Sequence, residues 1–246
     1  MKISVCIPMY NESEICVGCA ESLHREMKGL REKYGWDFEI IFCDDGSGDD
    51  CRKKIEGLTL SNIVSVGYDV NRGKGGAVRE AVSKTDGDIV IYTDCDLAYG
   101  TAVIEKAARL ISETGADMLV GSRNLKSDGY EGYSVLRKIA SKIYIRVIAV
   151  FAGFKLTDSQ CGFKAFRGDS ARRIFSLCTV NGFSFDLEAI KIAQKLGMKL
   201  VEMPVKIVNH RESKVNILKD AVRMLRDIRI IKKRVKYLKI REGEAE

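Results

Sequence analysis

Asp88-Ile89-Val90-Ile91-Tyr92-Thr93-Asp94-Cys95-Asp96 is the stretch from which the fold is read. A short unbroken apolar run, rich in β-branched residues and closed by acidic ones, predicts a strand buried on both faces. The pattern recurs on either side, at Lys2 to Pro8 (KISVCIP), Asp37 to Cys43 (DFEIIFC), Ile63 to Gly67 and Asp117 to Gly121. Between these runs the spacing and charge predict helices over Glu12 to Lys33, from about Asp50, over Lys74 to Lys84 and over Thr101 to Thr114. Strands alternating with helices imply an α/β fold with a mostly parallel, Rossmann-like sheet flanked by helices. The second half is less regular. It predicts helices at Tyr133 to Phe154, Asp169 to Leu177, Asp186 to Leu196 and Asn216 to Ile240, and strands at Gln160 to Phe166 and Lys199 to Val208. Pro204 suits an edge position for the last strand.

In such sheets ligands bind beyond the carboxyl ends of the strands. The polar clusters fall at those ends: Tyr10-Asn11-Glu12, Asp44-Asp45, Asp94 with Asp96, and Ser122-Arg123. Segments far apart in sequence are therefore expected on one rim. Two carboxylates two residues apart at a strand end suit a hard cation that keeps positions open for phosphate oxygens, although such pairs also cap helices. Asn71-Arg72-Gly73-Lys74-Gly75-Gly76-Ala77 opens a helix, where glycines admit a ligand to the backbone and free N–H groups favour anions. The same residues also suit a simple tight turn, and the spacing is not that of a P-loop.

The 246 residues are 46% hydrophobic with two prolines, enough for a large core and against disorder. No run of about 18 apolar residues predicts a membrane span, and the start lacks the pattern of a signal peptide. Eight cysteines, several within apolar runs, read as reduced and buried. Cys16-x-x-Cys19 has no second pair or nearby histidine to complete a zinc site. The net charge of +7 is concentrated: Lys214 to Arg241 holds eleven Lys/Arg against two acids, and the remainder 30 against 32. An anionic partner is sought there.

Ordered motifs resemble family 2 glycosyltransferases with the GT-A fold: Ile7-Pro8-Met9-Tyr10-Asn11-Glu12, Asp44-Asp45-Gly46-Ser47, Asn71-Arg72-Gly73-Lys74-Gly75 and Thr93-Asp94-Cys95-Asp96; Gly121-Ser122-Arg123, then Arg137 and Ser141, resemble the narrower group of polyprenyl- and dolichyl-phosphate hexose synthases. Asp158-Ser159-Gln160-Cys161-Gly162-Phe163-Lys164, Phe185-Asp186-Leu187-Glu188 and Arg211-Glu212-Ser213-Lys214 are similar to segments of polyprenyl- and dolichyl-phosphate hexose synthases, most of all dolichyl-phosphate β-glucosyltransferases. Ala98 stands where mannose-transferring relatives often carry Gln, and Glu212 where a Gly is usual. The resemblance implies an inverting transfer of a hexose from a nucleotide-sugar, UDP-glucose or in the alternative GDP-mannose, to a polyprenyl phosphate. A soluble or polysaccharide acceptor is the other alternative. It implies donor binding by Pro8, Tyr10, Glu12, Asp44, Lys74, Asp94, Cys95 and Asp96, with Mg²⁺ or Mn²⁺ on Asp94 and Asp96. Acceptor phosphate falls to Arg123, Arg137 and Ser141. Asp96, Arg123, Arg137, Arg211 and Lys214 are the expected catalytic set, since guanidinium forks match phosphate oxygens.

The reading divides the chain into a catalytic domain, 1–212, and a C-terminal helix and tail, 213–246. From Lys214 to Arg241 an apolar stripe (Leu218, Leu225, Ile228, Ile231, Val235) is flanked by basic residues, the pattern of a helix on an anionic membrane surface or of a docking helix with a solvated basic face. Tyr133 to Phe154 repeats it. Nucleic acid is not expected, because stacking aromatics are missing. The expected location is cytoplasmic, peripheral on the cytoplasmic face of the membrane, with room for a membrane-protein partner that presents the lipid.

Overall fold

The computed structural model describes residues 1–126, 128–131, 135–153, 155–209 and 217–238, and within helices omits the side chains of 136, 137, 140 and 217–223. Among the described residues seven strands and eight helices follow one another as β1 (Lys2–Met9), α1 (Cys16–Tyr34), β2 (Asp37–Asp45), α2 (Cys51–Glu56), β3 (Ile63–Tyr68), α3 (Lys74–Ser83), β4 (Ile89–Tyr92), α4 (Val103–Thr114), β5 (Met118–Ser122), α5 (Val135–Ala152), β6 (Lys164–Arg167), α6 (Gly168–Leu177), α7 (Phe185–Lys195), β7 (Leu200–Pro204) and α8 (Ile217–Lys236). They form one sheet in the order β3-β2-β1-β4-β6-β5-β7.

The apolar runs form strands because both of their faces are covered. In β1, Ile3, Val5, Ile7 and Met9 enter one core with α1, α2 and α4, while Cys6 enters a second core with α3, α5, α6, α7 and α8. This is the double coverage that a parallel sheet requires. β7 takes the edge beside β5, with Pro204 at the last paired position.

β6 alone runs against its neighbours, β4 and β5. β4 and β5 are thus parallel to each other, and their carboxyl ends share a rim with those of β1 and β2. Lys164, the first residue of β6, pairs with Tyr92 and Val120, so the segment entering β6 crosses that rim. The strand expected from Gln160 begins only at Lys164, because residues before it fold over the site.

The last helix departs from its membrane-facing reading. Met224, Ile228, Ile231 and Val235 are buried in the second core, and Leu225 packs against it. Arg234 reaches inward to the buried Glu188 and to the Leu177 carbonyl. The described part of the stripe is thus turned onto the body, where it removes apolar surface from water. Arg226, Arg229 and Lys233 face outward. The expected boundary between 212 and 213 lies outside the described residues.

Candidate active site

Hydrogen bonds tie the polar loops of the rim together. Asn11 adopts a left-handed conformation, φ 53°, which its short polar side chain tolerates. Its N–H donates to Ser47 Oγ at 2.9 Å, and Gly48 N–H donates to its Oδ1 at 2.9 Å. Ser13 N–H donates to Asp49 Oδ2 at 2.9 Å. The loops after β1 and β2 are therefore one unit. Pro8 and Glu12 are half-buried there, and Tyr10 is 47% exposed. Asp44 is nearly buried and accepts from Ser47 N–H at 3.2 Å and the Cys51 thiol at 3.6 Å.

Asp45 builds the next link, a role the sequence reading did not assign. Its carboxylate accepts from Tyr68 OH at 2.6 Å, Asn71 Nδ2 at 2.9 Å, Arg72 N–H at 2.9 Å and Gly73 N–H at 2.9 Å. It shapes the glycine-rich turn before α3. That turn differs from the anion cradle expected of it: Gly75 N–H already donates to Asn181 O at 2.7 Å. The glycines admit another part of the chain, the loop before α7. A Cβ on Gly75 would stand 2.5 Å from both Val180 O and Phe185 Cβ. Gly75→Ala is thus expected to cost about 1–3 kcal/mol by overpacking, read as a lowered midpoint in urea.

What the turn presents is Lys74, whose ammonium forms an ion pair with Asp94. Burial alone would lower its proton affinity; Asp94, Asp186 and Asp96 outweigh that and hold it above the usual lysine range. Gly162 lies directly against the Asp94 carboxylate, where a Cβ would collide with it. Gly162→Ala should displace Asp94 and reduce turnover by about 10²-fold, the effect of an ångström-scale misplacement. A steady-state assay showing unchanged turnover would refute the contact.

Asp96 follows on the same rim. Burial and the adjacent charge of Asp94 push its carboxyl up, against the Ala98 N–H at 3.0 Å and Lys74; Glu12 adds to the rise. Crowded oxygen donors of this kind fit a hard divalent cation. Among the described residues no group of three or more His, Cys, Asp or Glu is disposed to hold a metal, so such an ion would need oxygens from a substrate. Cys95, between the two acids, points into the first core beside Cys16 and Cys19 and is 5% exposed. Its expected donor-binding role is withdrawn for the side chain, because that side chain is buried in the first core.

Arg123 also differs from expectation. It forms a two-pronged pair with the fully buried Asp158, Nε to Oδ2 at 2.7 Å and Nη2 to Oδ1 at 3.0 Å. A buried carboxylate demands such a partner, so this guanidinium braces the loop rather than standing free for phosphate. Glu202 holds the same loop through Thr157 N–H at 2.8 Å. Ser141 is half-buried on α5. The Arg137 side chain, Arg211 and Lys214 lie outside the described residues. The described chain reaches Asn209, whose amide donates to Leu97 O at 2.9 Å beside Asp96.

Beneath the rim, Lys164 is fully buried and pairs with Asp186 at 2.8 Å; its ammonium also donates to Cys161 O at 2.7 Å. Tyr92 OH donates to the same Asp186. This network fixes the segment that carries Gly162. In sequence Lys164 only closes the motif Asp158 to Lys164; its burial and its partner come from the fold.

The model of the glycosyl transferase family 2 matches residues 4–175, which hold every loop of this rim from Tyr10 to Asp158. The chain belongs to glycosyl transferase family 2. This family 2 transferase is 32% identical to a dolichyl-phosphate beta-glucosyltransferase of Dictyostelium discoideum, over 96% of this chain and 75% of that one. It is 29% identical to the Homo sapiens protein of the same name, over 96% of this chain and 76% of that one. Its fold matches glucosyl-3-phosphoglycerate synthase from Mycobacterium tuberculosis, solved with Mn²⁺, uridine diphosphate and glucosyl-3-phosphoglycerate. There the TM-score is 0.68 at 19% identity, over 98% of this chain and 81% of that one. The fold is that of the GT-A glycosyltransferases.

Proposed function

We propose that this glycosyltransferase moves glucose from UDP-glucose to the phosphate of a polyprenyl or dolichyl lipid, with inversion at the anomeric carbon. The observation that carries the reading is the joining of Asp94, Asp96, Lys74 and the Asp44 loop on one rim, in a chain similar over 96% of its length to dolichyl-phosphate beta-glucosyltransferases. Tyr10, exposed at the rim, and Asp44 would bind the base and ribose of the nucleotide. Asp94 and Asp96 would hold Mg²⁺ or Mn²⁺. Bound there, the ion supplies charge stabilisation for the departing diphosphate. Lys74 adds a fixed positive charge next to those carboxylates, available to a phosphate oxygen once a cation competes for Asp94. A lipid phosphate is already anionic at neutral pH, so its attacking oxygen needs no general base; positioning and charge compensation suffice. Arg137, Arg211 and Lys214 remain the candidates for the acceptor phosphate.

An acceptor of this kind places the enzyme at a membrane surface, and no helix among the described residues is long and apolar enough to cross one. We assign it to the cytoplasmic face of that membrane. The test is a donor screen with polyprenyl phosphate, with and without Mn²⁺ or Mg²⁺. Label from UDP-glucose should pass into the organic phase only when the divalent ion is present. Turnover of GDP-mannose without UDP-glucose would overturn the choice of donor. Label confined to the aqueous phase would overturn the lipid acceptor.

A further inference from the structure

A helix packed on a globular body ordinarily shows water a polar face. α4 does so: Lys106, Arg109, Ser112 and Glu113 are its exposed residues. α5 does the opposite. Ile145, Ile148, Ala149 and Ala152 face the core, and the opposite side carries Val135 (71% exposed), Ile139 (51%), Ile143 (60%), Val147 (38%), Val150 (68%) and Phe151 (50%). Their spacing by four and three residues makes one continuous stripe.

The charged residues of α5 itself are all basic. α5 contains no acidic residue, and Lys142 and Arg146 are exposed along one edge of the stripe. α8 lies alongside, tied on by Tyr144 OH to Met224 Sδ at 2.8 Å and by Lys232 Nζ to Phe151 O at 3.1 Å. It adds Arg229 and Lys233, both exposed; of its two acids, Asp227 accepts from Ser184 Oγ at 2.6 Å, and the Asp220 side chain lies outside the described residues.

We propose that the outward face of α5 is the surface by which this protein lies on an anionic bilayer, its apolar stripe entering the headgroup boundary and the basic residues of α5 and α8 meeting lipid phosphates. A large apolar stripe rimmed by cations has this partner as its chemical complement. The membrane role, expected of both basic helices, narrows accordingly to the apolar stripe of α5, since the core consumes the described part of that of α8; α8 contributes charge. The inference gives the proposed lipid-phosphate acceptor its place of encounter, yet its test uses no sugar transfer.

The experiment is co-sedimentation of the full chain with vesicles of phosphatidylcholine containing phosphatidylserine, at low and high salt. Wild type should partition at low salt and less so at high salt. Ile139→Asp/Ile143→Asp should lower the partition coefficient at least about tenfold with an unchanged melting temperature and unchanged UDP affinity. Arg229→Glu/Lys233→Glu should reduce binding mainly at low salt. Partition of the Ile139→Asp/Ile143→Asp variant equal to wild type overturns the proposal. So does a wild type that ignores these vesicles but sediments as a dimer that the same variant dissociates, since the stripe then covers a second copy. Vesicle binding without any glucosyl transfer would leave the surface standing and remove the proposed reaction.

Discussion

Asp96→Asn should lower glucosyl transfer by about 10²–10³-fold without weakening the fold. The first half follows from the proposed role: a carboxamide is a poor ligand for a hard divalent cation, and the charge building on the leaving diphosphate loses its counterion. The second half follows from the structure. In the absence of a cation, burial and the charge of Asp94 both disfavour an ionised Asp96. A carboxyl raised in the folded state gives stability below its ordinary range and loses it as pH rises through the folded value, so at neutral pH this group opposes folding. Removing the charge should leave the melting temperature equal or higher, the usual mark of a residue kept for activity. Adding Mn²⁺ with UDP should raise the wild-type melting temperature by mass action and leave that of the variant nearly unchanged. A fully active Asp96→Asn enzyme would remove this acidic pair from the reaction.

Lys164→Met should cost about 3–5 kcal/mol, the cost of leaving a buried charge without its partner, or about 10 °C for a chain of this size. Lys164 has no exposed surface and its mate Asp186 very little, so water cannot replace the lost ammonium. Among the described residues the Tyr92 hydroxyl would remain as the hydrogen-bond donor to that carboxylate, with Lys74 the nearby charge. Turnover should fall as well, because Lys164 also holds the Cys161 carbonyl, one residue before the glycine that abuts Asp94. Lys164→Met/Asp186→Leu separates the two effects. An apolar pair of similar volume should recover most of the stability but not the activity. Thermal melts and initial rates on the three proteins decide it; a Lys164→Met protein that melts with wild type would show the pair to be dispensable.

The residues misread from sequence share one cause. Arg123 carries the right chemistry for phosphate, but its guanidinium is claimed by Asp158, 35 positions away. The glycine-rich turn suits either an anion or a simple tight turn in sequence, and the carbonyl of Asn181 takes one of its amides. Asp45, which organises that turn through five hydrogen bonds counting both of its oxygens to Gly73 and one to each of Tyr68, Asn71 and Arg72, looked like the lesser member of an acidic pair. In each case the competing group is supplied by a distant segment, and no local pattern announces which of two suitable partners reaches a side chain first.

The sequence by itself determined the layers and the rim. Unbroken apolar runs have nowhere stable to lie except a sheet covered on both sides, and acidic or glycine-rich endings must then collect where the strands stop. Tertiary structure alone decided the direction of β6, whose four residues, KAFR, suit either direction. It also decided which apolar stripe is spent inside the protein. α5 and α8 are both amphipathic and basic, and their periodicity is silent about which side meets the core. Packing buried the described part of the stripe of α8 and left that of α5 facing outward, because α7 and the inner side of α5 offered α8 a complementary surface while α5 had already turned that side to the same core.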